Sequence, residues 1–274
     1  MFRIHFLVIL LSCCLFSNAQ NFTYLNSAGK KIPNEENAFT RFEIMHDNDS
    51  IFSVYKSERT DKKWSKKKLQ YSVLKKSEKL FYIYDNEQLK DEYKILEVIE
   101  NLPLGYRIKQ TDNENKAYFS GDAIQLFPII MHGKCTYFDI YGMPMVEKAF
   151  NNGLKISETL LFHPVDSNLT ITKLPEFQGG SRGFYVEIAK KIKYPGSFQE
   201  KIINDDVYIK FLIDADGKMS KISAGSNSAK KLTEEGVRVI SSINGLWEPA
   251  HSNNNKIPVW HYAKITFGGS FIYR

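Results

Sequence analysis

The chain predicts an α+β protein: a β-rich, antiparallel N-terminal region followed by a small αββαβ domain. Three observations carry this. From Gln20 to about Asp166, short apolar or alternating runs are separated by polar turn formers, the pattern of strands and hairpins. Beyond that point the periodicity changes to helix, strand, tight hairpin, strand, helix, strand. Aromatic residues make up 14% of the 274 residues, with 15 Tyr and 19 Phe, which favours pleated surfaces carrying large side chains. Such a length can bury a substantial core, as one large domain or two small ones.

Residues 1–19 read as a targeting segment. Arg3 supplies the positive start, Ile4 to Phe16 the apolar run, and Ser17-Asn18-Ala19 a small-residue cleavage signal. Cleavage after Ala19 would leave Gln20 at the mature end and deliver the protein to the periplasm or the exterior, with no transmembrane helix. The run is shorter than the roughly 20 apolar residues a spanning helix needs. The alternative is a lipoprotein anchored through Cys13, although Leu11 fits poorly before Ser12 and the Ala19 site fits better. Loss of Cys13 and Cys14 leaves Cys135 alone, without an internal disulfide partner, and it reads as a buried small hydrophobe.

Within residues 20–166, Ile51 to Tyr55, Leu69 to Val73 and Leu80 to Tyr84 are expected strands. The lysine-rich run Lys62 to Lys76 reads as a solvated strand face or hairpin loop, with contact to an anionic surface as the sharper alternative. Ile95, Val98, Ile99 and Leu102 fall at helical spacing and predict a short helix over Glu92 to Leu102. Gly133 to Gly142 leads into Val146 to Gly153, and Tyr84 to Tyr93 looks like a weaker relative. Aromatics alternating with Tyr-Gly and Asn-Gly turns predict successive hairpins, which resemble MORN-like repeats; an irregular antiparallel sheet explains them nearly as well. His163 to Thr170, with a Pro and several turn formers, marks a boundary, so a second domain is expected over 167–274.

In that domain, Pro175 to Gly183 is expected to be an extended loop. A phosphate loop is disfavoured because neither a preceding strand nor a Gly-Lys-Ser/Thr ending is present. Phe184, Tyr185, Ile188, Ala189 and Ile192 line one side of a helix that Pro195 ends. Asp206 to Ile213 alternates as a half-buried strand, and Asp214 to Lys218 turns it through Gly217 into Met219 to Ala224. A calcium loop starting at Asp214 would need Glu at its twelfth position, where Gly225 stands. Thr233 is the expected N-cap of a second helix, with Leu232 and Val237 as a hydrophobic staple and Glu234 and Glu235 at its positive end. Trp247 is expected to plug the space between helix and sheet, and Val259 to Phe267 is the last strand.

Pro175-Glu176-Phe177-Gln178-Gly179-Gly180, Tyr194-Pro195, Phe211 to Lys218 with Asp214 and Gly217, and Trp247-Glu248-Pro249-Ala250 occur in this order. Together they resemble the TonB C-terminal domain family over about residues 175–267, a third of the chain. The resemblance implies a helix-covered antiparallel sheet to whose exposed strand an extended peptide, such as a segment of an outer-membrane transporter, adds. Carried onto this chain, the binding edge is the last strand, with Val259, His261, Ala263, Ile265 and Phe267. Because strand addition uses backbone groups, few side chains are diagnostic. Two departures are Asp205-Asp206, where the family commonly has Gly, and the polar insertion Ser252 to Lys256. A full energy transducer also has an uncleaved membrane helix and a Pro-rich spacer, whereas the nine prolines of this chain are scattered singly.

The net charge of +6 identifies no partner, and no basic cluster interleaves with an RNA-binding aromatic signature, which argues against nucleic acid. His46, His132, His163, His251 and His261 lack metal-binding spacing, and no G-x-S-x-G occurs. The expectation is a non-enzymatic periplasmic or secreted protein, without metal or cofactor, that binds a peptide or protein by strand addition. The alternative is a component of TonB-dependent energy transduction and transport at the outer membrane. An enzyme centred in the N-terminal region is a third class, which a deep polar pocket with converging titratable groups would mark.

Overall fold

The computed structural model of the chain describes residues 22–61, 63–85, 92–194, 205–226 and 228–268. The expected targeting segment, with Cys13 and Ala19, and Pro195 lie outside them. The first strands are β1 (Phe22–Leu25), β2 (Lys31–Ile32), β3 (Thr40–His46), β4 (Ile51–Thr60), β5 (Lys63–Trp64), β6 (Lys68–Lys75) and β7 (Leu80–Tyr84). They continue as β8 (Tyr93–Leu102), β9 (Gly105–Asp112), β10 (Ala117–Gln125), β11 (Ile130–Phe138), β12 (Pro144–Asn151) and β13 (Leu154–Leu160). These thirteen form one antiparallel sheet, ordered β13-β12-β11-β10-β9-β8-β7-β6-β4-β3-β1-β2 with β5 beside β4. Nearly every neighbour in space is therefore a neighbour in sequence, as hairpin chemistry dictates. The β12–β13 turn, for example, holds Asn152 (φ 51°) and Gly153 (φ 90°), the left-handed pair a tight hairpin requires.

The sheet curls until its ends meet: Lys31 N–H, at the start of β2, donates to the Asn152 carbonyl at 2.7 Å. Val54, Val73, Leu96, Ile108 and Cys135 are fully buried in its core. Burial pushes the Cys135 thiol up to about 11, so it behaves as the small hydrophobe its sequence suggested.

The predicted helix over Glu92 to Leu102 is instead strand β8, paired with β7 and β9. Leu96 and Val98 are buried on either side of exposed Glu97, a period of two. A register shift between Val98 and Glu100 then leaves Ile99 exposed, so the apolar set only mimics helical spacing.

The second half contains β14 (His163–Pro164), β15 (Glu176–Phe177), α1 (Gly180–Lys191), β16 (Asp205–Ile213), β17 (Met219–Ala224), α2 (Lys230–Ser241), β18 (Trp247–Glu248), β19 (Ala250–Ser252), β20 (Asn255–Ile257) and β21 (Val259–Phe267). The principal elements run helix, strand, strand, helix, strand, and the sheet order is β14-β21-β16-β17. The polar insertion Ser252 to Lys256 is the β19–β20 hairpin, with Asn253 at φ 54°.

Three local expectations change. Residues 175–183 are not one extended loop, because Glu176–Phe177 pairs with Trp247–Glu248 and α1 already begins at Gly180. Gly179 and Gly180 take φ of 83° and 68°, the left-handed conformations that turn the chain into the helix. Thr233 is not the N-cap: Ala229 is, its carbonyl accepting from Leu232 and Thr233, while the Thr233 hydroxyl is buried without a hydrogen-bond partner. Glu235 accordingly lies inside α2, bonded to Arg238. Finally, β16 is not half-buried, since Val207 through Ile213 are buried on both faces.

The reason for that double burial is the N-terminal sheet. One face of β16 and β21 carries Val207, Ile209, Phe211 and Ile213 under the helices. The other places Tyr208 and Tyr262 against Met145 and Val146. There the Lys210 ammonium donates to Asp139 Oδ2 at 2.7 Å and the Tyr262 hydroxyl donates to the same oxygen at 2.9 Å. Asp139 Oδ1 accepts from the backbone N–H groups of Tyr141 and Met143, so the buried carboxylate is fully bonded.

Candidate partner-binding edge

Several of the motif residues meet at Trp247. Its ring meets Phe177 (5.4 Å between centroids), Phe184 (5.1 Å) and Phe211 (6.0 Å), while its backbone N–H donates to the Gly217 carbonyl. A Cβ on Gly217 (φ 79°) would sit 1.8 Å from the Trp247 carbonyl oxygen, so only glycine fits this turn. Asp214 Oδ1 closes the same turn by accepting from the N–H groups of Asp216 and Lys218. Pro175, Pro249 and Ala250 are buried near this cluster, and half-buried Tyr194 packs on Phe267 at 6.0 Å. Trp247 thus fills the space between helix and sheet, with its indole N–H buried and unpaired.

Strand β21 pairs along its whole length with β16, from Asp205 opposite Phe267 to Ile213 opposite Val259. Its outer side is partly taken by this chain. Pro164 and His163 pair with Val259 and Trp260, and Val165 N–H donates to the Pro258 carbonyl at 3.1 Å. That bond sets the alternation: Trp260, Tyr262, Lys264 and Thr266 turn their backbone groups outward, while Val259, His261, Ala263, Ile265 and Phe267 turn theirs toward β16. The side chains of those five are all buried on the helix-covered face. Next along the edge, Phe162 stacks on the His261 ring (3.7 Å, 2°) and the Leu161 carbonyl lies 3.4 Å from His261 Nδ1. Burial holds His261 down at about 3, so it is neutral, and a neutral ring facing a carbonyl carries its proton on Nδ1. Beyond that point, among the described residues, no strand pairs with the outer side of Ala263 to Phe267.

Two side-chain systems frame this stretch. On one face Lys264 bridges Glu158 Oε1 (3.0 Å) and Asp206 Oδ2 (2.9 Å). Burial pushes Glu158 up, but hydrogen bonds from Lys155 and Lys264 and the charge of Lys148 outweigh it and hold the carboxyl at about 2. On the other face the Tyr185 hydroxyl, on α1, hydrogen-bonds the Lys264 backbone. Beside it opens a cleft of about 530 Å³ between the end of β13, the Leu174–Phe177 segment and α1, floored by Phe162, Trp247 and His261. That volume falls in the range of small-ligand and side-chain pockets. Sequence reasoning located the strand but missed both the docking of residues 161–165 on its outer side and the cleft. Neither leaves a local signal, because each depends on where β13 ends.

Among the described residues, no group of three or more His, Cys, Asp or Glu side chains could hold a metal ion, and no helix is long and apolar enough to cross a membrane. Comparison with family models, curated protein sequences and solved structures gave no match.

Proposed function

We propose that this chain is an exported, non-enzymatic binding protein whose C-terminal sheet takes up an extended peptide segment by strand addition along the outer side of β21. The observation that carries this reading is the interrupted edge. Pairing by the chain's own β14 stops at Trp260, whereas β21 runs on to Phe267 and turns the backbone groups of Lys264 and Thr266 outward. An edge that no strand covers is a template for another strand, and here only the Tyr185 hydroxyl, on the Lys264 backbone, stands in an added strand's way. The resemblance of the Pro175 to Phe267 motifs to TonB C-terminal domains supports the same mode and the same strand.

Phage-displayed random nonapeptides selected on the full chain test the proposal. Peptides so selected are expected to lose binding to Thr266→Pro. Thr266 is exposed and its N–H points away from β16, so proline there removes an outer donor and no backbone bond of the sheet, though it also deletes the hydroxyl that donates to Asp206 Oδ1. Failure to select any peptide overturns the proposal, as does unchanged binding to a Thr266→Pro variant with a preserved melting curve. Sequencing of the mature N-terminus tests export: Gln20 as first residue is expected, and an intact Met1 overturns it.

A further inference from the structure

We infer that the cleft beside β21 selects the added segment by one large apolar side chain with a basic residue near it; this rests on strand addition at β21. Side chains of an added strand alternate between faces, and those on the side of His261 and Ala263 project toward the helices. That is the face on which the cleft opens, immediately past the place where Phe162 already stacks on His261. Phe162 is the last side chain the 161–165 segment stacks on β21, and the cleft, walled by Tyr185, is the next position along it. The walls include partly exposed large side chains, with Leu174 56% and Tyr185 40% accessible, alongside polar Thr159 and Ser181. The cleft floor is aromatic and rigid, because Trp247 is wedged between Phe177 and Phe184. Burying a Phe or Leu side chain on this aromatic floor removes apolar surface from water, while Thr159, Ser181 and Glu176 of the lining lie beside it.

The rim supplies the charge preference. Glu176 lines the cleft and is exposed, and it stands directly across from Glu248 in the β15–β18 pair. Glu248 is bonded to Lys173, while no ion pair with Glu176 occurs among the described residues. Glu158, the other acid of the cleft, is already held by Lys155 and Lys264. The cleft mouth therefore carries an uncompensated acidic group, which favours Lys or Arg next to the inserted side chain and disfavours Asp or Glu.

The test uses the full chain and the synthetic peptide Thr-Lys-Thr-Phe-Thr-Lys-Thr, with a second version carrying Ala in place of Phe and a third carrying Glu in place of both Lys. Binding is followed by fluorescence anisotropy, and the backbone amide signals of Lys264 and Thr266 by NMR. The Phe peptide is expected to bind about tenfold more tightly than the Ala peptide. The Glu peptide is expected to bind more weakly, by a margin that shrinks in the Glu176→Gln variant. Ser181→Trp, at an exposed position of the cleft wall, is expected to erase the preference for Phe while leaving the weaker binding intact. Equal affinity for Phe and Ala peptides, with both shifting the Lys264 and Thr266 amides, overturns the cleft inference and leaves strand addition standing. If none of the peptides shifts those amides, strand addition fails and the cleft inference falls with it.

Discussion

The two sheets of this molecule are built on opposite plans. The N-terminal sheet is a chain of hairpins in which each strand finds its partner a few residues away, and its core residues alternate with solvent-facing ones. In the C-terminal sheet, β16 is paired with β21, some fifty residues downstream, and both of its faces are covered. The difference teaches where each part draws its order from. Turn chemistry writes the first sheet, whereas the second depends on groups supplied by the first: Asp139 for Lys210 and Tyr262, Glu158 for Lys264 and Tyr208.

The largest effect is expected where the two sheets meet. Asp139→Ala leaves the Lys210 ammonium buried and unpaired, and a loss of roughly 3–5 kcal/mol is expected by urea unfolding. The double variant Asp139→Leu, Lys210→Met should recover most of it, because an apolar pair leaves no buried charge. A loss confined to one half of the protein, read by separate probes in the two sheets, would break the dependence described above.

Next come glycines at close approaches. Gly217→Ala places a methyl group against the Trp247 carbonyl at a left-handed position, and about 3 kcal/mol should be lost in thermal or urea denaturation. In the N-terminal sheet, a Cβ on Gly121 would lie 2.8 Å from the Cys135 backbone, and on Gly236 of α2 it would lie 2.8 Å from the tip of the Ile209 side chain. Backbone cannot yield as a side-chain tip can. Gly121→Ala should therefore cost roughly 1–3 kcal/mol. Gly236→Ala should fall below that, since alanine also gains about 1 kcal/mol of helix propensity. The reverse order would show that α2 is the stiffer contact.

Acid sensitivity separates the two faces of β21. The folded His261 is held near 3 by burial, below its ordinary 6.5, so its contribution is present above about pH 6.5 and is lost as pH falls toward 3. Glu158 is held near 2, below 4.5, so its contribution is present above about pH 4.5 and is lost between 4.5 and 2. In pH-dependent unfolding, His261→Phe should flatten the upper window and Glu158→Gln the lower one. The smallest effect belongs to the exposed Lys190–Glu187 pair of α1, where Lys190→Ala should leave the melting curve essentially unchanged.

How far the sequence foretold this follows the same division. Strands β4, β6, β7, β16, β17 and β21 are legible from alternation, and the Asp214 to Lys218 turn from its Asp and Gly. Strand β8 is misread because a bulge breaks its period at Ile99. The start of α1 is hidden by Gly179 and Gly180, and the cap of α2 by Thr233, a residue type that caps well but sits one turn inside. At the site, the strand was visible, but the five residues expected to form its binding edge turn their backbone groups toward β16, and the alternation that makes Lys264 and Thr266 the outward residues needs the Val165–Pro258 bond. No reading of β21 alone contains Leu161, Phe162 or the cleft, because the residues opposite lie about a hundred positions upstream.

Amide hydrogen exchange of the full chain, with and without a peptide selected on it, tests the central claim most directly. Binding should slow exchange most at Thr266, and at Lys264 as the added strand replaces the Tyr185 hydroxyl, and leave Ala263 and Ile265, already bonded to β16, unchanged. Protection appearing elsewhere, with Lys264 and Thr266 exchanging as fast as before, would contradict strand addition at β21.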